Sequence, residues 1–161
     1  MNLQQVNIPE SVISLRGFAG CIKLKEIQIP YGVRRIDGDA FRECISLEQI
    51  EIPDSVNFMG EDVFGGCSNL KRIKLSNQLE EIGGNCFYDC KKLITLDFSE
   101  NINEIRARAF GGCESLENVD LPDKITHIGM ELFSKCINLK KVNIPDGVTH
   151  IASYAFSGCT A

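Results

Sequence analysis

Apolar and polar positions along the chain follow a pattern that returns every 23 residues. The unit that starts at Leu24 reads LKEIQIPYGVRRIDGDAFRECIS, and its residues 27–29 alternate between apolar and polar with the period of a β-strand. Pro30 predicts the end of this strand, because proline has no backbone N–H for a ladder hydrogen bond. Val33 and Ile36 follow at a spacing of three, which indicates a turn or a short irregular segment.

The last part of each unit carries a second apolar cluster. In the unit at Leu24 this cluster is Ala40, Phe41 and Cys44, whose spacing places them on one face of a single helical turn. Such a short unit cannot cover its own apolar side chains, because both of its flat sides are open, so successive units must stack. The units begin at Leu3, Leu24, Leu47, Leu70, Leu93, Leu116 and Leu139, and the phenylalanine ladder is Phe18, Phe41, Phe64, Phe87, Phe110, Phe133 and Phe156.

Composition and charge narrow the range of functions. The chain has 161 residues, with 17 basic and 22 acidic side chains and a formal net charge of −5. This mild acidity argues against a nucleic-acid-binding protein, which normally presents a basic face. No apolar stretch approaches the length of a membrane span, so membrane insertion is not expected. The sequence also lacks a phosphate-binding glycine loop, a nucleophile elbow and an HExxH motif, so we expect neither an enzyme nor a cofactor.

The unit pattern L-x-x-I-x-I-P-x-x-V-x-x-I-x-x-x-A-F-x-x-C resembles the leucine-rich repeats of the treponemal, or BspA-like, class. The resemblance covers residues 3–161 and recurs seven times. The departures are local: the first unit is two residues shorter, Ser76 and Ser99 replace the proline, Met59 replaces an isoleucine and Cys86 replaces an alanine.

Pattern and resemblance together predict an α/β repeat fold that forms a single domain over residues 1–161. We expect a right-handed leucine-rich-repeat solenoid of about seven 23-residue repeats, because parallel strands joined by a crossover wind to the right by strong preference. The resemblance implies that the parallel β-sheet lies on the concave face. It also implies a surface or secreted protein used in adhesion and protein binding, and it implies no catalytic residues.

Eight cysteines in a short chain would suggest four disulfides, but their spacing argues otherwise. All except Cys86 recur at intervals of 23 residues, so stacking places them side by side and pointing the same way. A disulfide needs converging Cβ atoms about 3.8 Å apart, so we expect eight reduced thiols packed as small apolar groups. Cys86 and Cys90 lack the further ligands that a structural zinc ion needs.

Equivalent positions of successive units become neighbours in a solenoid, so the outward positions of the strands form columns. One column places Glu51, Lys74 and Asp97 on adjacent strands, where opposite charges favour pairing. Read as a recognition surface, this face has a basic island of Lys71, Arg72 and Lys74, an acidic island of Asp97 and Asp120, and Tyr31 at its rim. The alternative is that these exposed polar side chains bind no partner and only keep the sheet soluble.

A second column follows the Val-x-x-Ile segment and contains both histidines of the chain. Its members are Ser14, Arg35, Phe58, Glu81, Glu104, His127 and His150. Imidazoles about 5 Å apart with a carboxylate beside them are candidate ligands for a divalent ion such as zinc. The candidate metal site is therefore His127, His150 and Glu104, and the alternative is two exposed histidines on a convex surface.

The ends of the chain leave the cellular location open. The first residues contain no apolar run of signal-peptide length, and both end units are apolar where polar caps are expected. The apolar end units favour the hypothesis that the chain is a piece of a longer protein. The alternatives are end-to-end self-association through the uncapped termini and simple tolerance of frayed ends. Reduced cysteines favour a cytoplasmic location, whereas the resemblance implies the cell surface.

Three functions follow from these observations. The leading one is a non-enzymatic protein-interaction module that binds through the concave sheet, in the manner of an adhesin. The alternatives are an intracellular scaffold or regulator of the same shape and a metal- or ligand-binding surface protein that uses the His127/His150 column.

Overall fold

The computed structural model describes residues 2–161 and shows a β-solenoid of about six turns, each of about 23 residues. Every turn contributes short strands that pair in parallel with the strand one unit away. The twelve strands of these residues form two ladders that run along the length of the solenoid.

The first ladder consists of three-residue strands at the start of the units. These are β3 (Gln49–Glu51), β5 (Arg72–Lys74), β7 (Thr95–Asp97), β9 (Asn118–Asp120) and β11 (Lys141–Asn143). Hydrogen bonds join β3, β5 and β7 into one sheet and β9 to β11 in another. The outward surface of this ladder is called the sheet face below.

The second ladder lies on the Val-x-x-Ile segment, where the sequence predicts a turn or an irregular segment. That prediction holds only for the first two residues of the segment, because its last two residues form strands in parallel register. The strands are β1 (Ser14–Leu15), β2 (Arg35–Ile36), β4 (Phe58–Met59), β6 (Glu81–Ile82), β8 (Glu104–Ile105), β10 (His127–Ile128) and β12 (His150–Ile151). A turn between the ladders reverses the chain direction, as where the Val56 N–H donates to the Pro53 carbonyl at 2.9 Å.

Seven repeats are not confirmed, because the first units do not form the expected strands. Neither residues 2–13 nor residues 22–33 contain a strand. Leu3 is only half-buried, whereas Leu24 and the leucines of the next four units are fully buried. The last unit keeps both of its strands, so the missing strands are confined to the N-terminal end of the solenoid.

The structure has no helix within residues 2–161, which corrects the expected α/β class. The segment around each phenylalanine is a series of tight turns with left-handed residues two positions before and two positions after the ring. An α-helix of L-residues needs the right-handed conformation throughout, so these positions interrupt it. The non-glycine members are Asp39, Glu43, Asp62, Asn85, Asp89, Arg108, Glu131, Lys135 and Tyr154, and glycines such as Gly66 and Gly112 occupy equivalent positions.

The phenylalanine ladder forms the centre of the core. Successive rings from Phe18 to Phe156 lie with centroids 5.3–5.8 Å apart and planes inclined by 3–14°. The five inner rings are fully buried. Burial of each such side chain stabilises the fold by about 1.5–3 kcal/mol, and the rings of the neighbouring units contribute to this burial.

The cysteine column lies beside the phenylalanine ladder, and its thiols are hydrogen-bond donors. The Cys67 Sγ–H donates to the Phe41 carbonyl oxygen at 3.1 Å, and the Cys90 Sγ–H donates to the Phe64 carbonyl oxygen at 3.2 Å. Cys44, Cys113, Cys136 and Cys159 repeat this bond to the phenylalanine 26 residues earlier. The column therefore ties each turn to the one before it.

All eight cysteines are free in the described part of the chain, and all except Cys159 are buried. Burial disfavours the thiolate, so it raises the pKa of Cys44 from 9.0 to about 11 and that of Cys136 to about 12. The pKa values of Cys90 and Cys113 are raised well above the ordinary range for the same reason. Cys86 fills a buried position that alanine occupies in the neighbouring turn at Ala109.

Candidate functional site

The sheet face is built by strands whose outer residues are exposed and whose middle residue is buried. In β5, Arg72 and Lys74 are exposed while Ile73 is 5% exposed and packs into the core. Parallel pairing in register aligns Arg72 between Gln49 and Thr95. The same register aligns Lys74 between Glu51 and Asp97, which confirms that these three charged side chains lie on adjacent strands.

An open depression of about 680 Å³ lies on this face and extends over the first five units. The middle residues of the strand segments lie beneath it, with their side chains directed into the core. Its walls are the exposed residues on either side. The lining residues are Gln5, Val6, Asn7, Glu26, Ile27, Gln28, Gln49, Ile50, Glu51, Arg72, Ile73, Lys74, Thr95 and Asp97.

Ion pairs neutralise most of the expected basic island. Lys71 Nζ lies 2.8 Å from Glu48 Oε2, and Lys74 Nζ lies 2.5 Å from Glu51 Oε1. The hydrogen bond from Glu51 raises the pKa of Lys74. The Arg72 side chain has no hydrogen bond or ion pair to any residue between 2 and 161, so it is the uncompensated cation of the depression.

Of the other three predicted binding residues, only Asp97 lines the depression, whereas Asp120 and Tyr31 lie outside it. Asp97 faces the depression and has no side-chain partner among the described residues. Asp120 lies outside the depression, where its carboxylate accepts a hydrogen bond from the Asn143 side-chain amide. Tyr31 is 64% exposed and does not line the depression.

The histidine column is aligned as the sequence predicts, but it does not form a complete metal site. His127 of β10 and His150 of β12 are register partners, and both are exposed. Glu104 Oε1 lies 3.4 Å from Arg106 Nε, so a metal ion would compete with this guanidinium for the carboxylate. In the part of the chain that the structure describes, no group of three or more His, Cys, Asp or Glu side chains is placed to hold a metal ion.

A second depression, of about 410 Å³, lies beside the second ladder. The repeat pattern of the sequence gives no indication of this depression. Arg106 at its centre pairs with Glu81 at 2.5 Å and contacts Glu61 at 3.8 Å, while Arg108 pairs with Glu131 at 2.7 Å. The Glu81–Arg106 and Arg108–Glu131 pairs join residues about one unit apart, so opposite charges at that separation in the sequence are the signal that indicates them. Both arginines are compensated, unlike Arg72.

Residues 2–161 contain no helix of the length and apolarity needed to cross a membrane.

The sequence profile of the BspA type leucine-rich repeat region matches residues 1–116 and 35–161, with six copies. No curated protein matches the chain in sequence.

Solved structures of leucine-rich repeat proteins resemble this solenoid closely. A Treponema pallidum leucine-rich repeat protein is 35% identical with a TM-score of 0.76, and the match covers 79% of this chain and 59% of that one. A leucine-rich cell surface protein of Faecalibacterium prausnitzii is 33% identical with a TM-score of 0.73, covering 78% of this chain and 35% of that one. A leucine-rich repeat protein of Eubacterium ventriosum is 28% identical with a TM-score of 0.80, covering 96% of this chain and 42% of that one.

The chain therefore spans 59% or less of the length of each of these three relatives. Proteins of this fold commonly act by binding other proteins and generally do so without catalysis. The 23-residue period, the two parallel ladders, the profile match and the structural similarity all agree: the chain belongs to the BspA-type leucine-rich repeat proteins.

Proposed function

We propose that this chain is a protein-interaction module that binds its partner on the sheet face, with the depression at the centre of the interface. The observation that carries the proposal is the polar lining of that depression. Gln28, Gln49, Arg72, Thr95 and Asp97 all face it, and none has a side-chain hydrogen bond or ion pair within residues 2–161. A partner can therefore bind these groups without first breaking contacts inside the protein.

The second depression supports the proposal by contrast. Its two arginines already pair with glutamates, so an incoming group would compete with Glu81 for Arg106 and with Glu131 for Arg108. Each of these exposed pairs contributes about 0–1 kcal/mol, so an incoming group gains less from the paired arginines than from an arginine without a partner. The sheet face is thus the better candidate for recognition.

Adhesion at a cell surface is the setting we favour for this binding. One of the similar structures is that of a leucine-rich cell surface protein, which supports an extracellular role. The eight free cysteines favour instead an intracellular scaffold or regulator of the same shape. The metal-binding alternative at His127, His150 and Glu104 has less support, because Arg106 already contacts the carboxylate of Glu104.

Site-specific cross-linking tests the proposed binding face. A photoreactive benzoylphenylalanine is placed at Thr95 in the depression, and the matched control carries it at Thr126, an exposed threonine beside the second ladder. We expect protein adducts from Thr95 and few from Thr126. The Arg72→Glu/Lys74→Glu variant should reduce the Thr95 adducts, whereas adducts of equal abundance from both positions would contradict the proposal.

The source of the candidate partner proteins distinguishes adhesion at the cell surface from an intracellular scaffold. Surface proteins of intact cells and a cytosolic extract are used in parallel, each with the Thr95 and Thr126 proteins. Adducts specific to Thr95 from intact cells support adhesion. Adducts specific to Thr95 from the cytosolic extract alone support the intracellular scaffold.

A further inference from the structure

The depression has the length of a short extended peptide. It reaches from residues 5–7 in the first unit to β7 in the fifth. Neighbouring parallel strands lie about 4.8 Å apart, so five strand positions span about 19 Å, which corresponds to about six residues of extended chain. Arg72 lies in the fourth of these units, so a peptide in the depression would continue past it on both sides.

Arg72 provides a recognition point for a single carboxylate. Its guanidinium is unpaired, exposed and flanked in register by the neutral side chains of Gln49 and Thr95. A guanidinium presents a planar fork of donors that binds a carboxylate through two parallel hydrogen bonds. Lys74 cannot take this role equally well, because its ammonium already contacts Glu51.

The other charges of the depression restrict the position of that carboxylate. Glu26 and Asp97 also line it, and neither has a side-chain partner among the residues described. A second acidic group of a peptide would approach one of them and be repelled, which is how an interface discriminates against wrong partners. The amides of Gln5, Gln28 and Gln49 supply donors and acceptors for the main chain of an extended peptide.

We infer that the depression binds an extended peptide segment of a protein partner and holds one internal aspartate or glutamate side chain on Arg72. The residues around that acidic side chain are neutral or basic, because Glu26 and Asp97 exclude a run of acids. The inference rests on the proposed function and gives the chemistry of its partner.

A phage-displayed library of random heptapeptides tests the inference without a known partner. Selection is carried out on the wild-type protein, on Arg72→Gln, on Arg72→Lys and on Arg34→Gln, which removes an exposed arginine outside the sheet face. We expect peptides from the wild-type and Arg34→Gln proteins to carry one acidic residue at a common position. Arg72→Gln should lose this preference, and Arg72→Lys should retain only part of it because an ammonium cannot form the paired hydrogen bonds.

Calorimetry on one selected peptide then measures the contact itself. Replacement of its acidic residue by the matching amide should weaken binding to the wild-type protein about tenfold, as expected for loss of a charge-assisted hydrogen bond. The same replacement should have almost no effect on binding to Arg72→Gln. Equal effects on both proteins would overturn the inference, since the acidic residue would then contact another group.

The remaining outcomes separate the inference from the proposed function. Peptides that bind the wild-type protein without a preferred acid, or with a run of acids, contradict the inference while leaving the sheet face as a binding surface. A library that yields no binding peptide also overturns the inference, and the cross-linking from Thr95 then decides on the proposed function alone.

Discussion

The phenylalanine–cysteine turn and the sheet face are made by the same repeated unit, yet they differ in every respect that matters for recognition. In the turn, the phenylalanine and cysteine positions each keep one residue type, each inner ring is buried, and six thiols each donate to a phenylalanine carbonyl. On the sheet face, Gln49, Arg72 and Thr95 occupy one position of three adjacent strands. Packing restricts the residue type at positions that contact the next turn. At positions that face solvent the residue type can vary, so these positions can determine which partner binds.

The difference has an energetic basis. A buried ring or thiol is covered by the turns on both sides, so a substitution there disturbs three units together. The ion pairs of the sheet face, such as Lys74 with Glu51, join exposed side chains and contribute about 0–1 kcal/mol each. Stability therefore depends on the turn, and changes in the sheet face alter binding at little cost to the fold.

Removal of an inner ring should have the largest effect. Phe87→Ala deletes a fully buried ring whose centroid lies 5.6 Å from that of Phe64 and 5.5 Å from that of Phe110. We expect a loss of about 3–5 kcal/mol in the free energy of unfolding, measured by chemical denaturation. Phe156→Ala is the matched control, since this half-buried ring stacks only on Phe133 among the described rings, and it should cost about 1–2 kcal/mol. Equal losses would show that stacking between neighbours is not what stabilises the ladder.

Thiol reactivity should follow burial along the cysteine column. Burial raises the pKa of Cys44 from 9.0 to about 11, so at pH 8 the thiolate is about a hundredfold rarer than for an ordinary cysteine. We expect Cys159, which is half-buried, to react first with iodoacetamide, and Cys90 and Cys113 to react last.

Peptide-level mass spectrometry gives the rate of each cysteine, and urea-unfolded protein gives the reference in which all eight react alike. Because the pKa values are raised, native rates should increase as the pH rises above 8. Rapid native labelling of Cys90 would contradict the buried column.

A left-handed position allows a smaller, stabilising change in the turn. Lys135 has a φ of 59°, which costs an L-residue about 1–2 kcal/mol and costs glycine almost nothing. After the greater flexibility of glycine in the unfolded chain is subtracted, Lys135→Gly should stabilise the protein by about 0.5–1 kcal/mol in chemical denaturation. Lys25→Gly is the control, because Lys25 is exposed without a left-handed backbone, and it should destabilise. Destabilisation by both glycines would show that the turn tolerates the lysine without strain.

Substitutions on the sheet face should have the smallest effect on stability. We expect Arg72→Gln and Lys74→Gln each to change the free energy of unfolding by no more than about 0.5 kcal/mol. Lys74→Gln loses the pair with Glu51, whereas Arg72→Gln loses no side-chain hydrogen bond or ion pair within residues 2–161, so Arg72→Gln should have the smaller effect. A loss above about 2 kcal/mol in either variant would mean that the sheet face also stabilises the fold, and the contrast with the turn would fail.

The sequence is sufficient to predict most of the stacking. The interval of 23 residues aligns the phenylalanines and cysteines, and the structure shows both columns. The same interval predicts that His127 and His150 are neighbours and that Lys74 lies between Glu51 and Asp97. Any position in a solenoid has its equivalent one unit away as a neighbour, so periodicity alone gives these contacts.

The backbone between the columns could not be predicted in the same way. Ala40, Phe41 and Cys44 have helical spacing, but Asp39 and Glu43 are left-handed and interrupt the helix. Glycines at equivalent positions, such as Gly66, are a weak signal for this conformation, because glycine also occurs in ordinary turns. The two-residue strands of the second ladder are too short for an alternating pattern to reveal them.

The repeat pattern of the sequence also does not predict the hydrogen bonds of individual side chains. Ser76, which replaces the usual proline, donates to the Val56 carbonyl at 2.5 Å and accepts from the Gln78 N–H at 3.0 Å. Its hydroxyl thus holds the turn that proline favours elsewhere. Likewise, the basic island is predicted from charge alone, and only the structure shows that Arg72 is its unpaired member.

The regular interval of the contacts also governs how this protein can change in length. Ring stacking, ion pairs and side-chain bonds join residues 23 apart, as from Lys74 to Glu51 and from Asn85 to Asp62. Loss of residues 70–92 by recombination would bring Phe110 onto Phe64 at the separation that Phe87 has now, and it would remove Arg72. Gain or loss of whole units is therefore a route by which this fold can exchange one recognition surface for another without rebuilding its interior.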